Sequence, residues 1–201
     1  AVPVKELDSL YMQLSLSRSD DSSKVQLLLK ISEKLIKTPQ HIGDARIYIE
    51  EALKTSISLK NPVLESYAYD LYGVYFRDIS RYDIALDYHN KALDIAERIQ
   101  NKKLLAKVYN NIGVVYRRMD EFSLAAFYHH KALNYAEEIN DQYSISVALN
   151  SLGNIYNLNK NYEGALEVFI RALAISRKEN NELGIAINLN NIGEVYEYKG
   201  D

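Results

Sequence analysis

Residues 110–116 read Asn110-Asn111-Ile112-Gly113-Val114-Val115-Tyr116, and this short pattern decides the fold. Related stretches surround Gly73, Gly153 and Gly193, so that four glycines stand forty residues apart. Small alanines keep the same step at Ala85, Ala125 and Ala165, and again at Ala92, Ala132 and Ala172. Self-similarity at one fixed period predicts a stack of structural repeats with no insertion between them.

Each repeat is predicted to contain two helices. Within residues 103–142, one apolar stripe at helical spacing includes Ile112 and Val115, and a second stripe begins at Phe122. A glycine inside a helix costs roughly 1 kcal/mol relative to alanine, so Gly113 needs a packing reason. A close approach of the two helices of one repeat supplies that reason, and it predicts that a larger residue at Gly113 would push them apart.

The composition limits the classes of function. The 201 residues are 47% hydrophobic and 25% charged, which favours one mostly helical domain. A formal net charge of -3 leaves no basic face for direct nucleic-acid binding. Apolar runs fall short of the roughly 18 residues needed to span a bilayer, so membrane insertion of this segment is not expected. The absence of cysteine excludes disulfides and thiolate chemistry.

The sequence contains no motif typical of a catalytic or cofactor site. We find no phosphate-binding loop, no zinc-protease motif and no nucleophile elbow, so neither enzymatic activity nor a cofactor is expected. His89 and His129 share a repeat position. Equivalent residues in neighbouring repeats lie about 10 Å apart, which is too far for a shared metal ion. Both histidines are therefore predicted to be packing residues of second helices.

The spacing of small and aromatic residues resembles that of a known family. Gly113, Tyr116, Ala125 and Ala132 are arranged as in the tetratricopeptide repeat, in the forty-residue form found in kinesin light chain, LGN-type scaffolds and many bacterial signalling proteins. The resemblance is strong over residues 63–201 and weaker before them, although the tryptophan and the closing proline common in the family are missing. It implies an all-α fold, a right-handed superhelical solenoid of antiparallel helix pairs.

The repeat register divides the chain into four parts. These are a capping helix and linker over 1–22, a degenerate first repeat over 23–62, three regular repeats over 63–182, and the first helix of a further repeat over 183–201. Glu33 stands where the first repeat should have its glycine. The partner of the last helix would follow Asp201, so we expect a longer natural chain and partly uncovered side chains at Ile192, Val195 and Tyr196. The compartment stays open between the cytoplasm and the periplasm.

Asparagines recur on the helices that line the concave peptide-binding groove in the resembling family. Asn110, Asn150 and Asn190 share one repeat position. An amide offers both a donor and an acceptor, which suits the backbone of an extended peptide whatever its sequence. The alternative is that these amides bond to a neighbouring helix and stiffen the stack. The full set of predicted peptide-binding residues is Asn110, Asn150, Asn190, Arg77, Lys107, Arg117, Asn154 and Asn157.

Charges on the same helices change sign along the chain. Arg77 and Arg117 in earlier repeats give way to Glu197 in the last, so the groove should be basic toward its N-terminal half and acidic toward its C-terminal end. The family's clamp for a C-terminal carboxylate is broken by Asp70 and Val74, so binding of chaperone tails is not expected.

Together these patterns predict a non-catalytic domain that binds a protein or peptide segment. The resemblance implies the sensor or scaffold part of a bacterial signalling protein, with some likeness to those of the Bacteroides group. The alternative is a structural or dimerising spacer that self-associates through its open last helix.

Overall fold

The computed structural model describes residues 4–17 and 19–200, and this part of the chain is helical throughout, without strands. The helices are α1 (Val4–Leu16), α2 (Ser22–Ile36), α3 (Ile42–Ser58), α4 (Pro62–Asp78), α5 (Tyr82–Arg98), α6 (Lys102–Arg118), α7 (Phe122–Glu138), α8 (Gln142–Leu158), α9 (Tyr162–Lys178) and α10 (Glu182–Lys199), with a short 3-10 helix at Pro39–His41. The predicted all-α repeat fold is confirmed. Over the described ranges, every helix is too short or too polar to cross a bilayer.

The turns between helices recur every twenty residues and share one geometry. Each has a non-glycine residue with positive φ, and these residues are Lys60, Ser80, Gln100, Asp120, Asn140, Lys160 and Asn180. After α5, the N–H of Gln100 donates to the carbonyl of Glu97, and the N–H of Asn101 donates to that of Ala96. These two bonds form a Schellman motif, which closes the helix. The Asn101 side chain accepts a bond from the N–H of Leu104 and caps α6.

The chain forms two compact units, residues 1–104 and 105–201. In the first unit, the core is built from fully buried aliphatic residues such as Leu28 and Ile31 of α2 and Ile49 of α3. The amphipathic helix α1 packs against this core, and its Glu6 forms an ion pair with Lys34. Buried apolar area of this kind contributes about 25 cal/mol per Å² and holds each helix to its neighbours.

In the second unit, buried aliphatic and aromatic residues line the helix contacts. Val195 of α10 is fully buried in a cluster with Ala165 and Phe169 of α9. The expectation that Val195 would be partly uncovered is therefore wrong, because it lies on the side of α10 that faces α9. Ile192 and Tyr196 remain partly or largely exposed, as predicted.

A ring lies directly on the glycine of each complete repeat that has one. The pairs are Gly73 with His89, Gly113 with His129, and Gly153 with Phe169, where a Cβ atom on the glycine would lie 2.5, 2.7 and 2.5 Å from the ring. Real Cβ atoms do not come so close, so these positions need glycine for the two helices to approach. The contact expected at Gly113 is present. Gly193 has no heavy atom of the described chain within 4 Å of such a Cβ.

Candidate functional site

The predicted site residues lie on the first helices of the repeats. Arg77 is on α4 in the first unit, and the other seven are on α6, α8 and α10 in the second. Most of the predicted site residues therefore lie in the second unit. Their hydrogen bonds and their exposure show what each side chain contacts.

Asn110 holds the buried histidine of its own repeat. The Nδ1 atom of His129 donates to Oδ1 of Asn110 at 2.9 Å, because an amide oxygen can only accept. His129 is fully buried, and no described residue bonds to its Nε2. Burial lowers the pKa of His129 to about 3, and the nearby charges of Arg117 and His130 act in the same direction. The imidazole is therefore neutral, and Asn110 selects its tautomer.

The same repeat position is used differently elsewhere. In the first unit, Asp70 takes the place of the asparagine and its carboxylate accepts from Nδ1 of His89 at 2.8 Å, with both side chains buried. This pair also explains why Asp70 is tolerated at a core position, since a buried carboxylate needs a hydrogen-bonded partner.

Asn150 connects two first helices because its own repeat has no histidine. Its Nδ2 donates to the carbonyl of Ser146 at 2.9 Å, and its Oδ1 accepts from Nδ2 of Asn191 on α10 at 3.2 Å. Asn190 is exposed and donates to Glu194 on its own helix at 2.8 Å. The bonds of Asn110 and Asn150 are of the kind that the stiffening alternative predicts, and a role for these amides in peptide binding stays a prediction.

The remaining predicted residues differ in exposure. The Arg77 side chain is only 13% exposed and donates two bonds to Asp78, at 2.9 and 3.1 Å. Lys107 and Arg117 are half-buried on α6, and Asn154 is exposed on α8. Asn157 is half-buried, and its Oδ1 finds no hydrogen-bond partner among the described residues.

A cavity of about 340 Å³ lies between α8, α9 and α10 of the second unit. Its walls include Val147 of α8 and Ile175 of α9. Tyr143, Leu183 and Ile187 stand at its mouth, the first two 74% and 72% exposed. Large apolar side chains that gather around a concave site are typical of an interaction surface.

The first unit has an equivalent cavity of about 260 Å³ between α2 and α4. There the hydroxyl of Tyr67 donates to the carboxylate of Glu33 across the opening. Three periods later the same two positions hold Ile187 and Gly153, which cannot form such a bond. The cavity of the second unit therefore has an open, apolar mouth.

Gly184 lines the cavity of the second unit and has no side chain to fill it. It stands three periods after Leu64, which is buried at the edge of the first cavity. A Cβ on Gly184 would lie 2.6 Å from the Ser176 hydroxyl, so the missing side chain also lets α10 approach α9.

The repeat pattern of the sequence did not mark Tyr143, Leu183, Ile187 or Gly184 as site residues. The available signal was the departure of Ile187 and Gly184 from their repeat equivalents. In the described ranges, no group of three or more histidine, aspartate or glutamate side chains could hold a metal ion.

Comparison with known proteins supports the repeat architecture. Residues 65–138 and 144–201 match the tetratricopeptide repeat family. No curated protein matches the sequence significantly. Among solved structures, BtubC (BKLC) from P. vanneervenii is similar with a TM-score of 0.79 at 20% identity, over 98% of this chain and 84% of that one.

Two further structures belong to larger proteins. A Rap protein complexed with competence and sporulation factor has a TM-score of 0.81 at 19% identity, over 96% of this chain and 57% of its own. A signal transduction ATPase of the STAND class with a tetratricopeptide repeat sensor, from Pyrococcus horikoshii, has a TM-score of 0.61 at 17% identity, over 98% of this chain and 36% of its own. This chain thus spans little more than half of the Rap protein and about a third of the STAND protein.

At these identities, the structural similarities show the fold alone. The family match carries more, because it covers most of the residues from α4 to α10 and coincides with the period of the glycines and of the turns. The chain belongs to the tetratricopeptide repeat family, which is a protein-interaction fold.

Proposed function

We propose that this chain is a non-catalytic interaction domain that binds an extended protein or peptide segment along its first helices, as the sensor or scaffold part of a bacterial signalling protein. The family is an interaction fold. Two proteins of similar fold support the signalling role, since one was solved with competence and sporulation factor and the other carries its repeats as a sensor.

The observation that carries this proposal is the open cavity of the second unit. Tyr143, Leu183 and Ile187 expose apolar surface at its mouth, and fully burying one such side chain contributes about 1.5 to 3 kcal/mol. A peptide lying across α8 and α10 would bury all three. Their exposure does not stabilise the fold, because the contact of apolar side chains with water is unfavourable.

Exposed amides on the same two helices can bond to the backbone of the segment. Asn154 and Asn190 are exposed, whereas Asn110 and Asn150 are half-buried and use their oxygens within the protein. We therefore assign the main backbone contacts to Asn154 and Asn190, and a supporting role to the other two.

The test begins with peptides selected from a random library by the wild-type domain. Replacing both Asn154 and Asn190 with alanine should remove bonds worth about 0.5 to 1.5 kcal/mol each, so the dissociation constant should rise by about fivefold to a hundredfold. The melting temperature should not change, because both side chains are exposed. Asn134→Ala, at an exposed site on α7, is the matched control. Unchanged affinity of the double variant would refute the assignment.

A second candidate function is self-association through α10. Leu189, Tyr196 and Tyr198 are 48%, 42% and 65% exposed on this helix, and their neighbour Gly193 has no atom of the described residues over it. If a second molecule covers this face, sedimentation should show a dimer, and Leu189→Ser combined with Tyr196→Ser should convert it to a monomer. A wild-type protein that stays monomeric at high concentration would contradict this function.

A further inference from the structure

One residue at the cavity of the second unit departs from the repeat pattern. Glu179 is the C-cap residue of α9, is exposed, and is one of the residues that line the cavity. The C-cap residues at the same position in the other repeats are Leu59, Ile99 and Ile139. Three repeats therefore place an apolar side chain where this one places a negative charge.

A carboxylate at this position does not help α9 to form. The C-terminal end of a helix carries a partial negative charge from its unbonded carbonyl groups, so an acid there is repelled. An aliphatic residue would avoid this repulsion and would cover apolar surface. Glu179 is thus better explained by something that the cavity binds than by the folding of the repeat.

The surface of the cavity walls is mainly apolar, and one acidic residue lines it. Val147, Ile175 and Ile187 supply aliphatic surface, and Glu179 is the one charged residue among the described residues that line the space. Gly184 leaves this room open, since its counterpart Leu64 would reduce it. A ligand group that fits should be apolar along its length and positive at its end. Lysine and arginine side chains have this construction.

We propose that the cavity between α8, α9 and α10 binds a lysine or arginine side chain of the extended segment, with Glu179 pairing with its cationic end. This inference rests on the proposed function and names the chemistry of the partner at one position. The aliphatic stem lies against Val147 and Ile187, and the ammonium or guanidinium group donates to the Glu179 carboxylate. A leucine or phenylalanine could fill the same space, but it would cover Glu179 without giving it a hydrogen bond.

The experiment uses three synthetic peptide pools that are random except at a central residue. That residue is Lys or Arg in the first pool, Leu or Phe in the second, and Asp or Glu in the third. The wild-type domain should bind the first pool most tightly, and added salt should weaken this binding. Glu179→Gln should weaken binding of the first pool by about tenfold to a hundredfold, because a hydrogen bond to a charged group is lost, while binding of the second pool stays unchanged.

Two further variants separate a ligand contact from a structural effect. Glu182→Gln removes another exposed carboxylate, in the first turn of α10, that does not line the cavity, and binding of every pool should stay as in the wild type. Glu179→Ile introduces the residue found at position 139, so it should raise the melting temperature by a few degrees while the preference for the basic pool disappears.

The outcomes distinguish this inference from the proposed function. Tightest binding of the Leu or Phe pool, or equal effects of Glu179→Gln and Glu182→Gln, would overturn the inference and leave peptide binding in place. A domain that binds none of the pools would contradict the proposed function and the inference together.

Discussion

Replacing His129 with phenylalanine should make the second unit resistant to acid. Phenylalanine already occupies this repeat position at Phe169, where it packs on Gly153 as His129 packs on Gly113. The substitution therefore keeps a ring on the glycine and removes the only titratable atoms of that side chain. Asn110 loses its bond, which should cost about 1 kcal/mol at every pH.

The magnitude follows from the pKa of His129. Burial lowers it from 6.5 to about 3 in the folded protein, so between these values the unfolded chain binds more protons than the folded one. The free energy of unfolding is therefore highest above the unfolded pKa and falls as the pH drops toward the folded one. One pH unit corresponds to about 1.4 kcal/mol, so acidification to about pH 4.5 should cost the wild type roughly 2 to 3 kcal/mol through this group.

The assay is the difference in pH dependence between wild type and variant. Urea denaturation and hydrogen exchange of the α7 amides at about pH 7 and about pH 4.5 report the global and local free energies. His129→Phe should lose about 2 to 3 kcal/mol less than the wild type over this interval. Asn134→Ala, which alters an exposed side chain of the same helix and no titratable group, should follow the wild type. Parallel curves for His129→Phe and the wild type would refute the argument, because they would show that His129 has no depressed pKa.

Three further sets of substitutions test the packing. Gly153→Ala should destabilise the second unit because its Cβ would lie 2.5 Å from a ring, whereas the Cβ of Gly193→Ala meets nothing in the described structure and this variant should gain up to about 1 kcal/mol of helix propensity. Thermal denaturation distinguishes the two variants, and a Gly193→Ala protein less stable than the wild type would contradict this expectation. Asn188 is fully buried, and its Nδ2 donates to Ser176 and to the carbonyl of Gly184. Asn188→Ala together with Ser176→Ala should therefore lower urea stability by about 1 to 3 kcal/mol through the lost bonds and the cavity, and unchanged stability would show that the unbonded Oδ1 of Asn188 offsets them. Asp70→Asn keeps an acceptor for the buried imidazole of His89, so it should lower the free energy of unfolding in urea by less than Asp70→Ala, which should lower it by about 1 to 3 kcal/mol. Equal losses would contradict the role of Asp70 as the acceptor of this bond.

Much of the fold could be predicted because its determinants are local and repeat along the chain. The glycine of each complete repeat that has one marks a close contact between two helices that follow one another directly in sequence, as at Gly73, Gly113 and Gly153. The turn after α5 is likewise formed by consecutive residues, since Gln100 and Asn101 bond to carbonyls of the helix they end. The packing role of His89 and His129 could also be inferred, because their spacing excludes a shared metal ion.

The candidate site depended on partners that lie on different helices. Asn110 and Asn150 share a repeat position, yet one bonds to His129 in its own repeat and the other to Asn191 in the next. Which partner each amide finds depends on the residue at the ring position of the second helix, so the sequence pattern alone left peptide binding and stiffening as alternatives.

The sequence by itself determined the period, the helix pairs and the small residues at their contacts, because those properties depend on neighbours along the chain. Only the tertiary structure decided that Glu179, Gly184 and Ile187 surround one open cavity, because the cavity forms where α8, α9 and α10 meet. The lining of this cavity includes Gly184, which has no side chain, and Ile187, which cannot make the bond that Tyr67 makes to Glu33 in the first unit. Such features arise from the packing of three helices, and the departure of Gly184 and Ile187 from their repeat equivalents does not by itself show that the two residues meet at one cavity.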